Sequence, residues 1–436
     1  MDKKVILLSI LLISGITCVF ADEEPKRCAF PAPFDSIFPS TEYLGPTIGV
    51  PNTDPIYPFT KNLWLSDPAL KTNDIRIYGW INPAINLSSS RDSNFPAGLD
   101  IVPNSAQLQQ MALRIQRTPD TVQRDHIDYG FCFTNLFGVD YRYTTAQGIF
   151  SQQLLEHNNL YGYDLPEAYG QIYYPGVAQG MVLTVGRFLS PADIESPLAP
   201  SNYLFTHSLM NTYDAYTLTG FNAAIKLNNQ WTVLLGMHGG TDMAPWAEGA
   251  YPSGMAFVRW VSCSNNDSIW AGTTSFNGAK YKGHHDNLQQ FNATWTHRFN
   301  PCFFTSTEAY YIYQTDARLG GTCNFGPVQS FGGGGGCGEI IPGYSAAFGA
   351  VNYLELKIFD KDFISLRTDY LDDPSGQRTS YKTQYMSYTF GLTHQLTPLL
   401  QIRPEMRYEF AFDATPYNNG THKSQTSFGM DAIIKF

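Results

Sequence analysis

The chain has 436 residues, with 28 Lys and Arg against 38 Asp and Glu, and this acidic balance argues against nucleic acid as a partner. Charged residues make up 15% and aromatic residues 14% of the chain, whereas about 25% of a typical soluble chain is charged. Mean hydropathy is −0.22, and no second apolar run of about 20 residues follows the N-terminal one, which excludes a bundle of membrane-spanning helices.

The N-terminus is typical of a secretory signal peptide. The basic segment MDKK precedes 16 uncharged residues, and the small residues Val19 and Ala21 stand where a signal peptidase reads the chain. A membrane anchor is the alternative, but the run is short for one. We expect residues 1–21 to be removed outside the cytoplasm. The mature chain then carries 26 basic and 37 acidic residues, a net charge of −11, because the removed segment holds two lysines and one aspartate.

Residues 22–74 form a leader that differs from the rest of the chain. This segment holds nine of the 27 prolines. Proline has no backbone N–H to donate to a neighbouring strand, so we expect little sheet here. Two interpretations remain open: a loosely ordered periplasmic leader, or a partial plug in the mouth of a barrel.

From residue 75 onward the sequence predicts one β-strand after another. Apolar and polar side chains alternate with period two, and no stretch shows the 3.6-residue period of a helix. Sixteen segments carry the pattern: 75–88, 107–117, 128–144, 166–174, 180–188, 213–227, 230–239, 254–263, 267–278, 287–298, 302–314, 345–359, 362–371, 382–395, 399–412 and 425–436.

The connections between these segments alternate in length. Long ones include 189–212 and 315–344, whereas Asn228-Asn229 and Asp360-Lys361 are short. Long external loops and short periplasmic turns are the topology of an outer-membrane barrel, and a soluble β-sandwich has no reason to sort its loops in this way. The predicted fold is therefore all-β, a transmembrane antiparallel up-and-down β-barrel of about sixteen strands, with fourteen or eighteen as alternatives.

The two faces of the strands indicate which side meets lipid. In 399–412 the apolar residues share one face and the charged residues share the other. A charge facing lipid at mid-depth costs about 2–4 kcal/mol, so the charged face must line the inside. We expect the lumen to be filled with water, because burying an unpaired charge away from water is costly. Strand parity gives the following predicted pore-lining residues: Arg114, Arg187, Arg259, Arg298, Lys357, Arg367, Arg403, Glu405, Arg407 and Glu409, joined by Glu355, Asp369 and Asp431.

These charges allow two interpretations. They could pair with one another across strands, or they could form a field that sorts solutes by charge. The long connection 189–212 carries Asp193 and Glu195, and it is the third external loop when loops are counted from the first strand. In general porins that loop folds inward and narrows the lumen, which would bring both carboxylates to the arginines of the wall. An ordinary surface loop is the alternative.

Several segments resemble the OmpL-like β-barrel porins of bacterial outer membranes. They are YGWINPAINL, LPEAYGQIYYPG, GRFLSPADIESPLAPSNYLFTHS, LTHQLTPLLQIRPEMRYEF and SFGMDAIIKF, and the resemblance covers most of residues 75–436. GRFLSPADIE departs from the family pattern, because Ala192-Asp193 stands where a small, Gly-containing pair is usual. A last strand that ends in Phe resembles the assembly signal of these barrels and gives Phe436 that role. The resemblance implies a passive outer-membrane channel and supplies no catalytic residues.

The remaining motifs are few. Cys323 and Cys337 bracket one glycine-rich external loop and are the candidate disulfide, since an exported protein can be oxidised. His284, His285 and Asp286 are metal-ligand types, but adjacent side chains point apart, so we expect a solvated loop tip and no metal. We find no convincing serine and histidine pair for a phospholipase and no G-x-S-x-G or H-E-x-x-H motif. We therefore expect neither an enzyme nor a cofactor.

The sequence thus predicts a porin for small hydrophilic solutes or ions. Two alternatives are a structural or adhesive surface barrel with a plugged bore, and a substrate-specific anion channel. The expected partners are outer-membrane lipid, the barrel assembly machinery and the solutes themselves, with a homotrimer as one assembly to test.

Overall fold

The computed structural model describes residues 45–436 except 53, 54, 56, 98, 101, 192, 279–286 and 321–337. The signal peptide, the first part of the leader, the HHD segment at 284–286 and the cysteine pair Cys323 and Cys337 lie outside the described residues. The predictions on them stay predictions.

Sixteen antiparallel strands form one closed barrel, in which each strand pairs with its neighbours in the chain and β1 pairs with β16. The strands are β1 (Arg76–Ser88), β2 (Ala106–Arg117), β3 (Asp128–Gly138), β4 (Gly162–Tyr174), β5 (Met181–Leu189), β6 (Thr217–Lys226), β7 (Trp231–Thr241), β8 (Ser253–Val261), β9 (Asp267–Phe276), β10 (Gln289–Asn300), β11 (Phe303–Thr315), β12 (Tyr344–Phe359), β13 (Asp362–Asp373), β14 (Thr383–Thr397), β15 (Leu400–Ala411) and β16 (Ser424–Lys435).

The helices of the described residues are short and lie before β1 or in the connections between strands. They are α1 (Pro58–Ser66), α2 (Pro68–Thr72), α3 (Tyr141–Thr144), α4 (Gln152–Leu155), α5 (Leu209–Thr212) and α6 (Tyr417–Gly420), with a 3-10 turn at Ala199–Ser201. Within the described part of the chain, none of these helices has the length and apolar character needed to cross a membrane.

The predicted strand count is confirmed, and two predicted strands were too long by four residues or more. The segment 128–144 was predicted as one strand, but β3 ends at Gly138, and α3 follows with all four of its residues buried. The predicted strand 213–227 starts four residues before β6, because Tyr213–Tyr216 belong to the preceding loop. In both cases the apolar side chains of the extra residues pack inside the barrel and do not alternate between two faces as they would in a strand.

The outer face of the barrel is apolar, as period-two patterning requires. In β7, for example, Leu235 and Met237 are exposed to 52% and 47%, whereas Leu234 on the other face is fully buried. The same alternation of exposed and buried residues runs along β15 and β16. The exposed stripe is therefore the surface expected to contact lipid.

A charge placed on this stripe tests the assignment. We expect Leu235→Arg to lower the free energy of unfolding from lipid vesicles by about 2–4 kcal/mol, because the residue lies near the middle of β7. The matched control is Leu227→Arg, at the short turn after β6 and 46% exposed, for which about 0–1 kcal/mol is expected near the interface. Equal costs at both positions in urea titrations would contradict a membrane-spanning outer face.

Candidate functional site: the lumen and its inward loop

The connection between β5 and β6 lies inside the barrel. Every described residue from Ser190 to Tyr216 is buried, and we call this segment the inward loop. Three kinds of contact hold it against the wall: hydrogen bonds between lumen-facing charged side chains and its backbone, an ion pair, and an apolar cluster beneath it. The alternative of an ordinary surface loop is therefore wrong for the described residues of 189–212.

Arginines of β13 and β15 donate to carbonyl groups of the inward loop. Arg403 Nη1 lies 2.9 Å from the carbonyl oxygen of Ala199 and 2.7 Å from that of Asn202. Arg407 Nη1 lies 2.6 Å from the carbonyl oxygen of His207. These donors satisfy the buried carbonyl oxygens of Asn202 and His207, and they add a second hydrogen bond to that of Ala199, which also accepts from the Asn202 amide nitrogen at 3.3 Å.

Carboxylates of the same wall accept from the loop's N–H groups. Glu405 accepts from the amide nitrogens of Phe205 and Thr206, at 2.9 and 3.1 Å, and from the Thr206 hydroxyl. Asp369 accepts from the amide nitrogen of Leu209 at 3.2 Å. Donors and acceptors on the wall thus match the polar backbone of a segment that has left water.

Glu195 and Arg367 form the ion pair between the loop and the wall. Arg367 Nη1 lies 3.3 Å from Glu195 Oε1, and both side chains are almost inaccessible to solvent. Glu195 also accepts from the amide and hydroxyl of Ser208. Burial raises the pKa of Glu195, but Arg367 and these donors outweigh it, so the pKa lies below its ordinary value. The pair's stabilisation is therefore present at neutral pH and is lost as the pH falls through that lowered pKa.

The underside of the inward loop is apolar. Leu209 and Met210 of α5 are fully buried with wall aromatics that include Phe304 and Tyr310, and the Tyr203 and Phe363 rings lie 5.0 Å apart. Ser208 caps α5, because its hydroxyl accepts from the Asn211 amide nitrogen at 3.0 Å. His207 stays neutral near pH 7, since burial lowers its pKa to about 4. On the side of β11–β15 the lumen is therefore a packed core.

Part of the lumen stays open on the opposite side. A cavity of about 100 Å³ lies between the start of the inward loop, the leader and the strands β2 and β4–β7. Its lining is mixed, with Arg114, Glu167, Thr184 and Asn222 from the wall and Leu189 and Pro191 from the loop. This lining suits water and small polar molecules.

Residues 45–52 of the leader lie at the end of the barrel that carries the short turns. Ile48 is 3% exposed and packs with Tyr173, Val182 and Leu234. The amide nitrogen of Gly49 donates to the Thr121 hydroxyl at 3.0 Å. Residues 45–52 thus line one end of the open cavity.

Comparison with known proteins identifies the family of the chain. The sequence profile of the family described as "Putative beta-barrel porin-2, OmpL-like" matches residues 74–436. The chain belongs to this family. No curated protein shows a significant sequence match to it.

Solved porin structures resemble the fold of this OmpL-like chain at low sequence identity. An anion-selective porin from Comamonas acidovorans has a TM-score of 0.53 at 11% identity, covering 83% of this chain and 99% of that one. The outer membrane channel DcaP of Acinetobacter baumannii has a TM-score of 0.51 at 10% identity, covering 83% and 97%. The outer-membrane expressed OmpT of Vibrio cholerae gives 0.51 at 9%, with the same coverage. At such identities the likeness concerns the fold.

The predicted lumen charges of this OmpL-like barrel are mostly paired. Ion pairs join Arg114 to Glu167, Arg187 to Asp164 at 2.8 Å, Arg367 to Glu195 and Asp369, Arg403 to Asp431, and Arg407 to Glu409 at 2.7 Å. Arg259 and Arg298 are 3% and 5% exposed, Glu355 accepts from the Ser365 hydroxyl at 2.6 Å, and Lys357 lies near the short-turn end, 3.6 Å from Asp360. Around the inward loop the charged side chains of the wall are therefore buried against protein, whereas the sequence predicted that they would face water.

Sequence reasoning missed several acidic residues that the structure brings into the lumen. Asp164 lies at the start of β4, before the predicted strand began, so no parity was assigned to it. Glu167 and Glu308 fall on the buried face of β4 and β11 and could have been found by parity. Asp214 lay within a segment predicted as strand, and only its place in the inward loop explains its burial.

Proposed function

We propose that this OmpL-like barrel is an outer-membrane porin through which small hydrophilic solutes diffuse passively. The observation that carries the proposal is a closed barrel of sixteen strands whose lumen keeps a cavity with a mixed polar and apolar lining beside the inward loop. Barrels of about eight strands are filled by their own side chains, whereas 16–18 strands leave an aqueous channel. The inward loop narrows that channel to the side of β2 and β4–β7.

The pairing of the arginines supports weak charge selectivity. An ion pair presents little net field to a passing solute, and the arginine beside the open cavity, Arg114, is paired with Glu167. We therefore favour a general porin over a substrate-specific anion channel. Export by the signal peptide, insertion by the barrel assembly machinery and a homotrimeric state belong to the same proposal.

A second candidate is a barrel whose bore is closed by its leader. The anchoring of Ile48 and the hydrogen bond of Gly49 to Thr121 favour it, because they hold residues 45–52 across one end of the cavity. This candidate would make the protein a structural or adhesive barrel, or a channel that opens when the leader moves.

Planar bilayer recordings separate these functions. We expect the mature chain to give ohmic single-channel conductance and a small reversal potential in a KCl gradient. A large anion-selective reversal potential would favour the specific channel. Absence of conductance from every form of the protein would contradict a porin.

Two truncations test the leader in the same recordings. Removal of residues 22–57 takes away the anchored segment, whereas removal of 22–44 leaves it and serves as the matched control. Conductance that appears only after the longer truncation would establish the closed barrel. Equal conductance from both truncations and from the mature chain would support the open porin.

A further inference from the structure

Three buried carboxylates meet where the inward loop contacts the wall. Asp193 near the start of the loop, Asp214 near its end and Glu308 on β11 each offer an oxygen atom within 4.8 Å of the others. The three residues are exposed to 4%, 1% and 0%. Nothing in the proposed channel activity uses this cluster.

The described cationic side chains leave the charge of these groups uncompensated. Among the residues that the structure describes, no Lys, Arg or His forms an ion pair with any of the three. Their hydrogen bonds come from neutral donors: Asp193 accepts from Asn211 Nδ2 at 2.8 Å, and Glu308 accepts from the amide nitrogen of Ile194, also at 2.8 Å. Three mutually repelling carboxylates in a dry site are costly, since buried charges are normally paired or bound to metal.

Two buried oxygen atoms at the cluster are left without a donor. Asp214 Oδ2 has no hydrogen-bond partner in the described part of the chain, and neither has Gln290 Oε1 of β10, a fully buried residue. The amide nitrogen of Gln290 donates to Asp214 Oδ1, so the amide group of Gln290, with its unpartnered oxygen, adjoins the cluster. An amide oxygen next to three carboxylates completes a set of ligands that hard cations prefer.

The geometry points to a divalent cation bound by Asp193, Asp214 and Glu308, with the Gln290 amide oxygen as a neutral ligand, and Ca²⁺ fits best. Ca²⁺ takes about six to eight oxygen ligands in flexible geometry, whereas Mg²⁺ demands near-ideal octahedral geometry and usually keeps several waters. A buried set of protein oxygens contributed by a loop and a strand therefore suits Ca²⁺ better. One ion here ties both ends of the inward loop to β11.

Isothermal titration calorimetry with Ca²⁺ tests the site. The sample is the mature chain, refolded in detergent without lipopolysaccharide and stripped of metal with EDTA. We expect saturable binding of one Ca²⁺ per chain and weaker binding of Mg²⁺. Glu308→Gln should lower the Ca²⁺ affinity at least about tenfold, because it removes a charged ligand. The matched control is Glu355→Gln, on the adjacent β12, which alters an equally buried glutamate outside the cluster and should leave the affinity unchanged.

The outcomes are distinct, and none depends on channel activity. Absence of saturable Ca²⁺ binding by the unmodified chain overturns the site, and it means that the carboxylates relieve their repulsion by keeping protons. An equal loss of affinity in both glutamine variants also overturns it. If Glu308→Gln fails to fold, as judged by heat-modified gel migration, Asp214→Asn is measured in its place, with the same loss expected.

Discussion

Replacing Arg367 with alanine is expected to release the inward loop and to destabilise the barrel by about 3–5 kcal/mol, the cost of leaving one partner of a buried ion pair uncompensated. Arg367 is fully buried and contacts Glu195, the Thr206 carbonyl and hydroxyl oxygens, and Thr389. Its loss leaves the Glu195 carboxylate without its cation in a dry site. The loop should then leave the wall, and the open cross-section of the lumen should grow.

Two readouts measure this effect together. Denaturant unfolding in detergent should show the loss of stability, and bilayer recordings should show larger and noisier conductance. The double variant Arg367→Ala with Glu195→Gln removes the stranded charge and should recover part of the stability, because the two side chains are coupled. Arg187→Ala is the matched control, since it breaks a buried pair with Asp164 between the wall strands β5 and β4, and the Arg187 side chain neither bonds to the inward loop nor lines the open cavity. Equal conductance changes in both single variants would show that the Arg367 pair does not hold the loop.

The strands could be predicted because their signal is local. Period two follows from the pleat itself, so a segment such as 399–412 shows both its type and its faces without knowledge of its neighbours. The bounds of β15, Leu400–Ala411, lie one residue inside that prediction at each end. The length of the connections then gave the order and direction of the strands.

The filling of the lumen could not be predicted in the same way. Parity assigned Arg403 and Glu405 to the inside, but it could not tell whether water or protein would face them. The answer depends on the inward loop, whose apolar residues Leu209 and Met210 pack against strands more than 90 positions away in the chain. The backbone partners of Glu405 lie 199 and 200 residues away from it. Contacts at such separation leave no periodic trace in the sequence.

The packing of the leader could not be predicted from the sequence either. Its prolines predicted little sheet, and the described residues between 45 and 74 form α1 and α2 and no strand before β1. Nothing in the composition distinguished Ile48 from the other apolar residues of the leader. Its burial arises from Tyr173, Val182 and Leu234 on three different strands, which only the closed barrel brings together.

Deleting Phe436 is expected to reduce the amount of protein in the outer membrane far more than the stability of the barrel that forms. The backbone of Phe436 exchanges two hydrogen bonds with Gly79 of β1, at 2.8 and 2.9 Å. Its ring covers that glycine so closely that a Cβ there would lie 2.6 Å from a ring carbon. Each lost hydrogen bond costs about 1 kcal/mol, and the β1–β16 pairs from Trp80 and Lys435 to Ser88 and Ser427 remain.

Assembly is a separate step, because the last strand must be recognised before the barrel closes, as the resemblance to outer-membrane barrels implies. Fractionation with heat-modified gel migration measures both quantities in one experiment. Phe428→Ala is the matched control: Phe428 lies on the same strand and is 53% exposed on the same face, so its loss removes a lipid-facing aromatic ring without touching the terminus. We expect normal yield from Phe428→Ala, and low yield but ordinary heat resistance from the truncated chain. The opposite result would be normal insertion of the truncated chain with a much lower unfolding temperature. It would mean that Phe436 stabilises the barrel through its contact with Gly79 and that the terminal strand carries no assembly signal.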